Sequence, residues 1–98
     1  MNNYLSTLGL ATRARKVVTG ETLITKIRSN EVDFVIIASD ASDNSKKKIT
    51  DKCTSYHIDY VICSTIDELS KALGKKNRVA VGIQDAGFAK LLKEKIGG

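Results

Sequence analysis

The sequence predicts an α/β fold, a three-layer α/β/α sandwich with a mixed sheet of roughly four strands. Three observations lead to it. The runs Phe34–Ser39, Tyr60–Cys63 and Arg78–Ile83 are largely apolar, of strand length and without polar alternation, which marks strands covered on both faces. The stretches between them carry apolar residues at helical spacing, so strands and helices take turns along the chain. No proline, low-complexity tract or internal repeat interrupts the 98 residues, so 1–98 reads as a single domain with a modest core of its own.

Taken in order, Asn2 or Asn3 can cap a first helix with Leu5, Leu8, Ala11 and Thr12 inward, ending near Arg15. Val17-Val18 leaves room only for a brief strand. A second helix opens at Gly20 or Glu21, with Leu23, Ile24 and Ile27 on one side and Lys26 off it. Glu21 and Arg28 suit the two ends of its dipole. After the Phe34–Ser39 strand, the polar cluster Asp40–Ser45 opens a third helix that turns Ile49, Cys53 and Tyr56 inward. Tyr60–Cys63 is expected as a second buried strand. Ser64 or Thr65 caps a fourth helix through Leu69 and Leu73, which Gly74 ends. Beyond the last strand, Asp85 caps a fifth helix with Phe88, Leu91, Leu92 and Ile96 facing in.

Charge narrows the partners. The net charge is +5, and the pI is near 9.3. Residues 1–30 hold five cations and one acid, whereas 31–43 hold four acids and no cation. Such blocks imply a positive face, and a positive face attracts phosphates by releasing their condensed counterions. No apolar run approaches the roughly 20 residues that cross a bilayer, so no membrane partner is expected. Met1–Tyr4 lacks the charged and apolar regions of a secretory signal. A cytoplasmic protein is expected.

Catalytic chemistry finds little support. There is no G-x-S-x-G, no glycine-lysine phosphate loop and no dinucleotide fingerprint. Cys53 and Cys63 have neither zinc nor redox spacing, and His57 is the only histidine. Neither a metal nor a cofactor is expected. Asp40 follows a buried strand, where open α/β sheets bind ligands, but no lysine or threonine set completes an enzyme site, and a turn or cap role suits it better. Not an enzyme, then, but a binding protein.

The binding edge is sought around Thr19–Lys26. Arg13, Arg15 and Lys16 lead in sequence to Gly20, and Gly20 opens a helix. Unsatisfied N–H groups at a helix start favour anions, and glycine lets another backbone come close. The aromatics Tyr4, Phe34, Tyr56, Tyr60 and Phe88 stand singly, so no platform is offered for stacking single-stranded bases. Recognition of a folded nucleic acid through backbone and shape, supplemented by a few side chains at one helix tip, is the expectation. Lys46, Lys47 and Lys48 read as a solvated helix face.

The order of residues from Leu8 to Glu21, Lys26 and Phe34 to Ser42 resembles the kink-turn-binding ribosomal protein family, whose members include large-subunit proteins seven-A-e and thirty-e. The likeness extends through Lys47-Lys48-Ile49, Leu73-Gly74 and Gly87-Phe88-Ala89 and is greatest to the family's bacterial YlxQ-like branch. It implies the same sandwich and an RNA-binding, often ribosomal, role in which the start of the second helix grips the bent RNA. By position it assigns close approach to Gly20, the family's base-reading positions to Thr22 and Leu23, and RNA-facing charge to Arg13, Arg15, Lys16 and Lys26; Thr19 and Glu21 complete the RNA-binding tip, with Glu21 able to take over one contact. Asp40, Ala41 and Ser42, with Ser64, Thr65 and Ile66, are implied as loops beside an extruded base. Thr22 and Leu23 stand where archaeal members have Asn and Glu, and they cannot reproduce those bonds to base edges. Leu23 could equally pack in the core. The implied partner is structured RNA, of kink-turn or ribosomal type, bound by a monomer with the ribosome as its setting. A protein-interaction adaptor of the same fold is the alternative, since fold alone does not decide function.

Overall fold

The computed structural model describes residues 4–97. Nine elements follow one another: α1 (Tyr4–Arg13), β1 (Val17–Val18), α2 (Glu21–Arg28), β2 (Phe34–Ile37), α3 (Asp43–Ser55), β3 (Asp59–Ile62), α4 (Ile66–Leu73), β4 (Ala80–Ile83) and α5 (Ala86–Gly97). The sheet order is β1-β4-β2-β3. β2 and β3 run parallel, and β4 is antiparallel to both β1 and β2. The sheet is mixed because β3 is reached by a helical crossover whereas β4 returns the other way.

Successive residues of a strand face opposite sides of the sheet, and this divides the core in two. Phe34 and Ile36 join Leu8, Leu69, Leu73 and Leu92 beneath α1, α4 and α5. Val35 and Ile37 join Leu23, Ile27, Ile49 and Cys53 beneath α2 and α3. With both faces covered, all four residues of β2 and all four of β4 are buried.

Helix ends follow their capping chemistry. Ser42 Oγ accepts from Ser45 N–H at 3.2 Å. Thr65 and Glu68 exchange backbone and side-chain bonds at 2.9 and 3.1 Å, a complete capping box, and Gly74 ends α4 in the left-handed conformation at φ 67°. Asp85 Oδ2 accepts from Phe88 N–H at 2.8 Å. The Asn2 or Asn3 cap expected for α1 lies outside the described residues.

Three expectations need correction. Tyr60–Cys63 is not a buried strand: β3 is a sheet edge spanning Asp59–Ile62, and Tyr60 and Ile62 are 40% and 44% exposed. An apolar run reports a strand, not its place in the sheet. Leu91 is 41% exposed, because the inward line of α5 runs through Phe88, Ala89, Leu92 and Ile96, one step away. α1 stops at Arg13 rather than Arg15, since Arg15 turns left-handed at φ 61° to enter β1.

Candidate nucleic-acid interface

The C-terminal ends of β1, β2 and β3 and the start of β4 lie at one end of the sheet, as their registers require. Loops distant in sequence therefore meet there. Ser39 donates from its backbone N–H and its hydroxyl to the Ser64 carbonyl, at 2.8 and 2.7 Å. Asp40 Oδ1 accepts from the Ile66 N–H at 2.8 Å, which makes Asp40 a cap for the first turn of α4. Lys46 Nζ donates to the Ser39 carbonyl at 2.8 Å, so this lysine pins a turn, while Lys47 and Lys48 remain exposed. The Tyr4 hydroxyl hydrogen-bonds Ser64 Oγ beneath the loop, and burial raises the pKa of that phenol above its ordinary value. Asp40–Ser42 and Ser64–Ile66 thus form one joined surface. Within it Ala41 is buried, which leaves Asp40 and Ser42 as its exposed part.

α2 enters this end from β1. Gly20 takes φ 65° and ψ −146°, a region open almost only to glycine. No side chain caps α2, and Glu21 and Thr22 stand exposed at its start. Leu23 does not join them. It is 2% exposed and lies with Ile27, one turn on, in the core beneath α2. The outward pair at the tip is therefore Glu21 and Thr22, and Leu23 belongs to packing.

The expected basic approach is also redistributed. Lys16 lies at the far end of β1, where its carbonyl accepts from Gln84 N–H at 2.7 Å. From Lys16 to Gly20 the backbone travels roughly 13 Å at strand rise, so Arg13, Arg15 and Lys16 are exposed on a flank and do not converge on the tip. Lys26 sits in the last turn of α2 and pairs with Glu31 at 3.4 Å. The Glu31 carboxyl is held below its ordinary pKa first by the Ser29 hydroxyl bond and then by Lys26.

Instead the segment preceding β4 supplies charge at the tip. A Cβ placed on Gly20 would lie 3.8 Å from Arg78 Nη1, and Lys75, Lys76 and Asn77 line a recess of about 520 Å³ beside Asp40 and Ile66. Asn77 also lines a groove against Gly20 and Glu21, so one continuous surface links the α2 tip to the Asp40 loop. Sequence reasoning missed these residues. Three cations between a helix-ending glycine and a strand were the available signal.

This arrangement suits a polyanion with polar edges: cations, glycine backbone and outward-facing short polar side chains. Among the described residues no group of three His, Cys, Asp or Glu side chains could hold a metal.

Residues 2–93 match the family model described as the ribosomal protein L7Ae/L30e/S12e/Gadd45 family. The RNA-binding protein YlxQ of Bacillus subtilis (strain 168) is 46% identical over 86 residues, which cover 87% of this chain and 86% of that protein. The RNA-binding protein YlxQ of Enterococcus faecium is 42% identical over 95 residues, 96% of this chain and 91% of its own. Among solved structures, a protein with unknown function from Bacillus halodurans C superposes with a TM-score of 0.94 at 40% identity over the whole of both chains. The Giardia lamblia 15.5kD RNA binding protein shares the fold, with a TM-score of 0.78 at 17% identity over 95% of this chain and 81% of its own.

Proposed function

This chain belongs to the ribosomal protein L7Ae/L30e/S12e/Gadd45 family, and from that premise we propose that it is a non-catalytic RNA-binding protein that recognises kink-turn-like structured RNA. One observation carries the reading: Gly20-Glu21-Thr22, Asp40–Ser42, Ser64–Ile66 and Lys75–Arg78 gather at one end of the sheet. A sharply bent RNA presents crowded phosphates beside unpaired purine edges, and this end offers cations, a glycine backbone and short polar groups together. Both YlxQ relatives are named as RNA-binding proteins, which supports the class of partner.

The roles divide by position. Thr19 and Gly20 admit the RNA backbone closely, while Glu21 and Thr22 face base edges. Lys75, Lys76 and Arg78 meet phosphates at the tip, and Arg13, Arg15 and Lys16 offer a second electrostatic contact on the flank. Because a hydroxyl and a carboxylate bond differently from an amide, base preference rests on few contacts, each worth about 1–3 kcal/mol by analogy with duplex readout.

A gel-shift series tests the proposal with kink-turn RNA, the same RNA with its tandem G·A pairs replaced, and plain duplex. Kink-turn RNA should bind tightest, with affinity falling steeply as salt rises. Equal affinity for all three would reduce the protein to a general polyanion binder.

A further inference from the structure

The residues that follow β2 tie together the segments of the tip. Ala38 donates its N–H to the Val79 carbonyl at 2.8 Å. Ser39 donates its N–H and its hydroxyl to the Ser64 carbonyl at 2.8 and 2.7 Å. Asp40 Oδ1 accepts from the Ile66 N–H at 2.8 Å. The same turn therefore borders the segment that carries Lys75, Lys76 and Arg78, and it grips the β3–α4 loop on both sides of Thr65. A further bond reaches it from α3, where Lys46 Nζ donates to the Ser39 carbonyl at 2.8 Å. That carbonyl belongs to the planar peptide joining Ser39 to Asp40, so one ammonium fixes the plane from which both residues reach the loop. Lys46 is half-buried, whereas Lys47 and Lys48 beside it on α3 are exposed.

The loop needs such holding. Ser64 takes φ 66°, a left-handed conformation that a residue with a side chain keeps only where its surroundings over-determine it. The two Ser39 donors on its carbonyl and the Tyr4 hydroxyl on its Oγ are those surroundings. Relaxation of Ser64 to negative φ would turn the chain at Thr65 away from Asp40. We infer that Ser39 and Lys46 are positioning residues for RNA recognition: they hold the Ser64–Ile66 loop in its binding conformation before RNA arrives, and Lys46 itself meets no phosphate. The inference rests on the function proposed above. A loop already set loses less freedom on binding, and the gain falls on a bent RNA that reaches the loop, not on a plain duplex held by general charge.

Filter binding of kink-turn RNA and plain duplex by the full chain is the test, with K46M set against K47M, which removes the same charge one residue along. K46M should bind kink-turn RNA about three- to tenfold more weakly than K47M, the size of a lost hydrogen bond, with the two alike on duplex. Their slopes of log affinity against log salt should match. S39A should reproduce the loss and S39T should restore the affinity. The S39A/K46M double variant should lose less than the product of the two single losses, because both act through one joint. In amide NMR of the free proteins, Ser64, Thr65 and Ile66 should shift in K46M and S39A while Glu21 and Thr22 stay in place. The dispersion of the same spectra reports folding, and S39A with S39T decides the matter if K46M does not fold. Equal kink-turn affinity of K46M and K47M, a slope about 1 lower for K46M, or unmoved Ser64–Ile66 amides would overturn the inference. Failure of the proposed function reads differently, as a wild type without preference for kink-turn RNA, and takes this inference with it.

Discussion

Leu23 packs directly on Gly82: a Cβ built on Gly82 would lie 2.5 Å from Leu23 Cδ1 and 3.1 Å from methyl carbons of Val18 and Val32. The missing side chain in β4 is what lets α2 lie close on the sheet, and that closeness sets where Gly20, Glu21 and Thr22 emerge. Gly82→Ala should therefore overpack the second core and destabilise the fold by about 1–3 kcal/mol, read as a lower Tm. It should also lift α2 and weaken RNA binding. Adding Leu23→Ala should recover part of the RNA binding; no recovery would mean the contact does not position the tip.

Asp40 is expected to act as a cap rather than as a catalytic acid. Its Oδ1 accepts the Ile66 N–H, so Asp40→Ala should cost about 0.5–2 kcal/mol in urea unfolding. Asp40→Asn keeps an acceptor oxygen and should cost much less. Equal losses from the two would assign the effect to charge instead of the hydrogen bond.

A Cβ on Gly20 would meet Arg78 only in ordinary contact, at 3.8 Å, but the backbone there is one that other residues rarely adopt. Gly20→Ala should weaken RNA binding by about five- to 150-fold, the equivalent of about 1–3 kcal/mol of backbone strain at the tip. Filter binding at fixed salt measures it. An unchanged affinity would place the RNA elsewhere.

The cations separate by salt dependence. Lys76→Gln should lower the slope of log affinity against log salt by about 1, because Lys76 lines the recess beside Asp40. Lys47→Gln should leave the slope nearly unchanged. Identical slopes for both variants would point to a diffuse positive face in place of a localised seat.

Cys53 offers a readout of the second core. It is wholly buried and its thiol pKa is pushed up to about 11 by burial. The native protein should therefore leave Cys53 unalkylated by iodoacetamide at pH 8, with modification appearing only on unfolding. The sign of the pH effect follows. The unfolded thiol ionises near pH 8.5–9, while the folded one stays protonated, so stability should fall from about pH 9 towards pH 11. A Cys53→Ala variant with the same alkaline loss would assign it to other groups.

The alternation of helices and strands was readable because each covered strand must be apolar throughout and each covered helix must be apolar on one side. The Thr65 and Asp85 caps were readable too, since each acts on a residue three positions away, and Ser42, which does the same, lay within the polar cluster expected to open α3. The edge position of β3 was not, because burial of Tyr60 and Ile62 depends on whether another strand lies beyond them. Nor could spacing tell Leu23 from Thr22 at the helix tip, where one residue of rotation separates core from solvent.

The amino-acid order alone determined the α/β sandwich, the glycine-opened helix and the basic character of the chain, since these rest on local periodicity, backbone freedom and summed charge. Only the tertiary structure decided which charges share a surface. The antiparallel register of β4 carries Lys75, Lys76, Asn77 and Arg78 to the tip and leaves Arg13, Arg15 and Lys16 at the other end of β1. Neighbours along the chain were separated by the length of a strand, and residues some sixty positions apart were brought together by the pairing of its partner.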